Sequence, residues 1–102
     1  MSISHGTANC TALYVDSFGN VILNLAEEDI TRLGAHVGDH VVIETKQGQF
    51  PGLVGRTYSD FSQAQIGVIR GSQGHLEIAM REGSAAARLG LRPLDQIEVR
   101  LR

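Results

Sequence analysis

A chain of 102 residues with 42% hydrophobic and 20% charged residues has the make-up of one folded domain and not of a disordered segment. Its formal net charge of −2 gives no electrostatic ground for nucleic acid or an anionic membrane surface as a partner. The single cysteine, Cys10, excludes an intrachain disulfide and a cysteine-based zinc site and favours a reducing compartment.

In chain order, Met1 to Asn9 lacks the basic-then-apolar layout of a signal peptide. It reads as an N-terminal extension or linker remnant ahead of one domain over residues 10–102. No apolar run, Val41-Val42-Ile43 included, is long enough to cross a bilayer, and the expected location is cytoplasmic. Residues 10–15 and 20–25 read as two strands around Asp16-Ser17-Phe18-Gly19. The second strand is nearly continuous in apolar residues, the pattern of burial on both faces. Residues 26–33 read as a short helix with acidic groups in its first turn and Gly34 as its stop.

Val41 to Glu44 is a β-branched run, followed by a hairpin turn at Lys46-Gln47-Gly48-Gln49. Gly52 to Tyr58 and Ala64 to Arg70 read as further strands joined through a polar loop, and His75 to Met80 as another. A second short helix is expected near 84–89, stopped by Gly90, and Ile97 to Leu101 alternates as a half-buried closing strand. Many short strands punctuated by twelve glycines predict an all-β fold: a small closed or nearly closed antiparallel β-barrel with one or two short helices. Closure also removes the sheet edges that such a domain must otherwise protect.

Chemistry-bearing motifs are sparse. His5, His36, His40 and His75 do not make up the convergent ligand set a metal site requires, so no metal is expected. No GxSxG elbow, P-loop or GxGxxG fingerprint is present. Asp16-Ser17-Phe18-Gly19-Asn20 joins a carboxylate, an aromatic ring and an amide at one strand junction. It reads either as a plain hairpin turn with Phe18 in the core or as a stacking face with polar contacts for a planar, amine-bearing ligand. Glu77 stands in the apolar strand 76–80. It is either a solvated outward charge or a buried one needing a donor such as Arg70 or Arg81.

Four stretches in order, Val15-Asp16-Ser17-Phe18-Gly19-Asn20-Val21 with Asn24-Leu25, Arg56-Thr57-Tyr58-Ser59-Asp60, Gly71 to Ala79, and Gly83-Ser84-Ala85-Ala86 running on to Leu89-Gly90-Leu91, carry a family resemblance. Together they resemble the C-terminal domain of the S-adenosyl-L-methionine hydroxide adenosyltransferases, which are related to fluorinating and chlorinating enzymes. The resemblance covers nearly everything after Cys10. It implies a β-barrel that follows a larger N-terminal catalytic domain, with substrate held between the N-domain of one subunit and the C-domain of its neighbour in a homotrimer.

It further implies that Phe18 and Tyr58 flank the adenine ring, that Asn20 bonds the ring edge, and that Asp16 and Ser72 face the ammonium and carboxylate of the methionine portion. No catalytic residue, metal or cofactor is implied within this domain, and S-adenosyl-L-methionine enters as substrate. The sequence departs from the family at Leu23, where threonine is frequent, at Gln73, where serine or arginine is, and at Leu94, where glycine is usual.

The resulting expectation is an adenosine- or S-adenosyl-L-methionine-binding module, inactive alone and partnered by a separate catalytic domain or chain. Two alternatives stand beside it. Gly83 to Ile97 is similar to the segment that PDZ-like peptide-binding domains carry before their ligand-side helix, and a ligand-free assembly barrel fits the same composition.

Overall fold

Alternating apolar residues recur in segment after segment of this chain, and in the computed structural model, which describes residues 1–71 and 73–102, they line one closed barrel. The strands are β1 (Ser2–Ser4), β2 (Thr7–Val15), β3 (Val21–Ala26), β4 (His40–Thr45), β5 (Gly48–Val54), β6 (Ile66–Arg70), β7 (His75–Met80) and β8 (Gln96–Leu101). Helix α1 spans Asp29–Leu33 and α2 spans Ala85–Leu89. The sheet order is β1-β2-β3-β7-β6-β5-β4-β8, and β2 pairs again with β8 to close seven strands into a barrel, with β1 as one extra strand. Closure works because β2 is long. Its residues 7–11 pair with β8 and its residues 12–15 with β3.

The interior is filled by alternate residues of the barrel strands, such as Ala8, Cys10 and Ala12, Val21, Leu23 and Leu25, Val41 and Ile43, Ile66 and Val68, and Ile97 and Val99. Leu23, the departure from threonine, is fully buried there. A second, smaller cluster of Phe61, Ile69 and Ala79, with Leu53 against it, lies on the outer face of β5, β6 and β7. Period-two alternation puts Val68 inside and Ile69 outside on the same strand.

Several local expectations are corrected. Residues 2–4 and 7–9, read as an extension, are strand, with Ser2 to Ser4 paired to Asn9 to Thr7. The barrel is not wholly antiparallel, because β5 and β6 run parallel through Leu53↔Gly67 and Val54↔Val68. The strand expected over 52–58 ends at Val54. Beyond it, side chains supply the backbone bonds that a strand partner would: Asp60 Oδ2 accepts from Arg56 N at 2.7 Å and Thr57 Oγ1 from Ser59 N at 3.4 Å. Such local bonds compete with a ladder, and they turn the chain into a single 3-10 turn at Tyr58–Asp60.

Helix α1 is also shorter than expected. Ala26 stays in β3, where its N–H donates to Asp29 Oδ2 at 2.7 Å. Both helix stops fall where the glycines predicted, at Gly34 (φ 85°) and Gly90 (φ 67°). Among the described residues, no helix is long and apolar enough to cross a membrane.

Candidate functional site

The turn between β2 and β3 is organised by one carboxylate. Asp16 Oδ1 accepts from the backbone N–H groups of Phe18 and Asn20, each at 2.9 Å. Its Oδ2 accepts from Asn20 Nδ2 at 2.9 Å, and Asp16 N donates back to Asn20 O at 3.0 Å. With its polar needs met inside the turn, the loop needs no apolar anchor. Phe18 points outward, 78% exposed, while Asn20 is 4% exposed. Of the two readings of this junction, the hairpin that buries Phe18 is not the one observed.

Gly19 makes that turn fit against its neighbour. A Cβ there would overlap the Ser84 side chain, and the Gly19 carbonyl accepts from Ala86 N at 2.9 Å. The start of α2 is thereby tied to the back of the turn. Ser84 Oγ also caps α2 by accepting from Ala87 N at 3.1 Å.

The second wall comes from the crossover between β5 and β6. Phe61, 1% exposed, sets the far end of its ring against Gly67, where a Cβ would overlap it. That anchor holds Tyr58, three residues earlier, against the turn, and Asn20 Nδ2 donates to the Tyr58 hydroxyl. Tyr58 is 40% exposed. Partial burial raises its pKa; the Asn20 hydrogen bond opposes the shift, and the charges of Glu77 and Asp16 add to it.

Residues 80–83, directly after β7, form the third wall. Phe18, Asn20 and Tyr58 together with Met80, Arg81, Glu82 and Gly83 line a cleft of about 390 Å³, within the size range of small-molecule sites. Glu82 sits at φ 59° and Arg81 donates from Nη1 to Phe61 O at 2.8 Å, so this wall and the crossover are fastened together. Sequence reasoning missed these four residues. The available signal was Gly83 before the N-capping Ser84, which marks a loop leaving β7, the strand that pairs with the start of β3 through Val21↔Ile78.

Of the five residues singled out by resemblance, the structure brings Phe18, Asn20 and Tyr58 to one cleft. Asp16 stands behind it, both oxygens engaged in the turn. Ser72 lies outside the described residues. Glu77 faces the outer side of the barrel between Ile22 and Ile69 and is half-buried, with its carboxylate against Gly71.

What the cleft offers chemically is an exposed ring, a half-exposed phenol and one amide oxygen, with the charged residues Arg81 and Glu82 also in its lining. The two Asn20 Nδ2 bonds use its donors internally, and no described group donates to its Oδ1. An acceptor left over in a buried amide suits a ligand N–H.

Other reactive groups are elsewhere. The Cys10 thiol is buried in the barrel and pushed up to about 12 by that burial, which makes it inert core. His36 and His40 stand four residues apart but on a turn and the start of β4. Among the described residues, no three metal-ligating side chains converge.

Comparison with known proteins places the geometry in context. Residues 10–98 match the family model described as the SAM hydroxide adenosyltransferase C-terminal domain. A crystal structure of an uncharacterized conserved protein from Thermotoga maritima is similar over 97% of this chain and 40% of its own, with 25% identity and a TM-score of 0.87. A conserved hypothetical protein from Thermus thermophilus is similar over 100% of this chain and 38% of its own, with 30% identity and a TM-score of 0.65. The chain therefore spans about two-fifths of the length of these relatives.

Proposed function

The chain belongs to the SAM hydroxide adenosyltransferase C-terminal domain family, and from that premise we propose that its cleft is the adenosine-binding half of an S-adenosyl-L-methionine site. The observation that carries this reading is the meeting of Phe18 and Asn20 with Tyr58, 38 residues beyond Asn20, around one opening of ligand size. Phe18 and Tyr58 offer faces on which a purine stacks. Asn20 Oδ1 accepts from the exocyclic amine, and the Asp16 carboxylate, behind Asn20, is the partner for the ammonium of the methionine portion.

The reaction this module serves is the attack of water-derived hydroxide on S-adenosyl-L-methionine, giving adenosine and methionine. These 102 residues contribute recognition. The water-activating groups and the facing wall come from a separate catalytic domain or chain, presented by a neighbouring subunit of a trimer. Neither Asp16, tied into its turn, nor Tyr58, whose burial favours the neutral phenol, is proposed as a general base.

Both edges of β8, the strand that α2 leads into, are paired, one with β2 and one with β4, which leaves no open edge there for peptide binding by strand addition. Residues 83–97, the segment similar to PDZ-like domains, run through α2 into barrel strand β8.

The test is an NMR titration of the chain with adenosine. Amide shifts should gather at residues 18–20, 58 and 80–83 and shrink in Asn20→Ala and Tyr58→Ala. Binding is expected to be weak, since a ligand facing solvent on one side gains only part of the usual burial. Shifts spread over the barrel without focus would refute the assignment.

A further inference from the structure

At the end of the barrel under α1, the interior opens into a second recess of about 420 Å³ that the adenosine reading does not use. Its floor is apolar: Ile30 of α1, Val54, Val68 and Leu76 are all core residues. Its rim is cationic. Arg70 continues the inward-facing series Ile66 and Val68 to the end of β6, where alternation sets it at the mouth. Arg56, two residues past the end of β5, also lines the recess.

The charges around this mouth are unequally satisfied. Arg56 Nε lies 3.9 Å from Asp60 Oδ2, and His36 Nδ1 lies 3.6 Å from Asp39 Oδ2. Arg70 is exposed and has no ion pair or side-chain hydrogen bond with any described residue. The recess thus combines a dry floor with one unneutralised guanidinium, while Asp60 and Asp39 nearby disfavour a multiply charged anion. We propose that it binds a small monocarboxylate with an apolar body, the carboxylate held by the Arg70 fork and the body lying over Val54, Val68 and Ile30. A planar guanidinium matches a carboxylate in two parallel hydrogen bonds, and the apolar floor rewards a ligand that also removes hydrocarbon from water.

The experiment uses the 102-residue chain and three probes: octanoate, octanol and inorganic phosphate. Amide NMR titration with octanoate is expected to give saturable shifts centred on residues 30, 54–56 and 68–70, with residues 18–20 unmoved. Octanol should bind at least about tenfold more weakly, and phosphate should not shift these amides, because a charged hydrogen-bonded pair is worth roughly a factor of ten or more. Arg70→Gln should lower octanoate affinity by about the same factor, and Arg70→Lys by less.

Equal affinity for octanol and octanoate overturns the proposal, as does full affinity in Arg70→Gln or binding of phosphate alone at this mouth. Absence of any saturable octanoate shift does so too. If Arg70→Gln fails to fold, the comparison of octanoate with octanol on the unaltered chain decides. Adenosine and octanoate report on separate amides, so either assignment can fail without the other.

Discussion

The Asn20 side-chain amide donates to the Tyr58 hydroxyl across 38 residues of sequence, fastening the β2–β3 turn to the crossover between two parallel strands. That bond, with the one from the same nitrogen to Asp16 Oδ2, makes Asn20 the joint of the cleft. Asn20→Ala should cost about 1–3 kcal/mol, since it removes a buried amide and leaves Asp16 Oδ2 without its partner. Tyr58→Phe keeps the ring and should cost only about 0.5–1.5 kcal/mol. Urea denaturation of both variants measures the difference, and a larger loss in Tyr58→Phe would contradict this picture of the joint.

Phe18 separates recognition from stability. Because its ring is 78% exposed, Phe18→Ala should leave the unfolding free energy within about 0.5 kcal/mol. Adenosine affinity should nevertheless fall, by an amount in the range of about 1–3 kcal/mol that base stacking on an aromatic ring contributes. Calorimetry or NMR titration alongside a thermal melt gives both quantities on one sample.

The crossover depends on a missing side chain. At Gly67 a Cβ would overlap the Phe61 ring, so Gly67→Ala should displace Phe61 and with it Tyr58. The expected cost is about 1–3 kcal/mol, the usual range for overpacking. The Tyr58 wall of the cleft should loosen at the same time, visible as broadened amide signals over residues 57–61. An unchanged spectrum in that segment would mean that Phe61 is not what holds Tyr58.

Leu94 occupies a left-handed conformation at φ 75° while 76% exposed. Its N–H donates to Ala12 O at 2.8 Å and the next residue's carbonyl accepts from Ala12 N at 3.0 Å, so the backbone is locked there whatever the side chain. A side chain in that region is strained by about 1–2 kcal/mol, and glycine is not. After the greater chain entropy of glycine is subtracted, Leu94→Gly should stabilise the fold by up to about 1 kcal/mol. Chemical denaturation of the variant checks the sign.

Tyr58 also predicts a pH dependence. Its pKa lies above the ordinary value of 10.0, chiefly through burial, so the folded chain holds the phenolic proton longer than the unfolded chain does. That contribution to stability is complete below pH 10 and is lost as pH rises from there through the folded value. Stability curves across this range should fall more steeply for the natural sequence than for Tyr58→Phe. Phenolate absorbance in a Tyr14→Phe background should show the ionisation of Tyr58 itself above pH 10.

Much of the architecture was legible in the sequence, because it rests on signals local in the chain. The alternation in Ile97 to Leu101, the β-branched run at 41–43 and the stops at Gly34 and Gly90 each report a strand, a strand or a helix end through a few neighbouring residues. The family resemblance likewise picked out Phe18, Asn20 and Tyr58, since short motifs keep their order along the chain.

Tertiary structure decided the rest. Residues 2–4 form a strand only because β2 is there to pair with them, and β5 and β6 run parallel because the crossover between them, which carries Phe61 onto the outer face of the sheet, returns the chain to the same end. The wall at residues 80–82 and the Arg70 mouth carry no motif, and Gly83 beside that wall only opens one. They exist where separate strands of a closed barrel bring their ends together, a relation set by register and closure across the whole sheet. Sequence spacing encodes which face of one strand is apolar. Which strand ends become neighbours depends on how all the strands bury those faces at once.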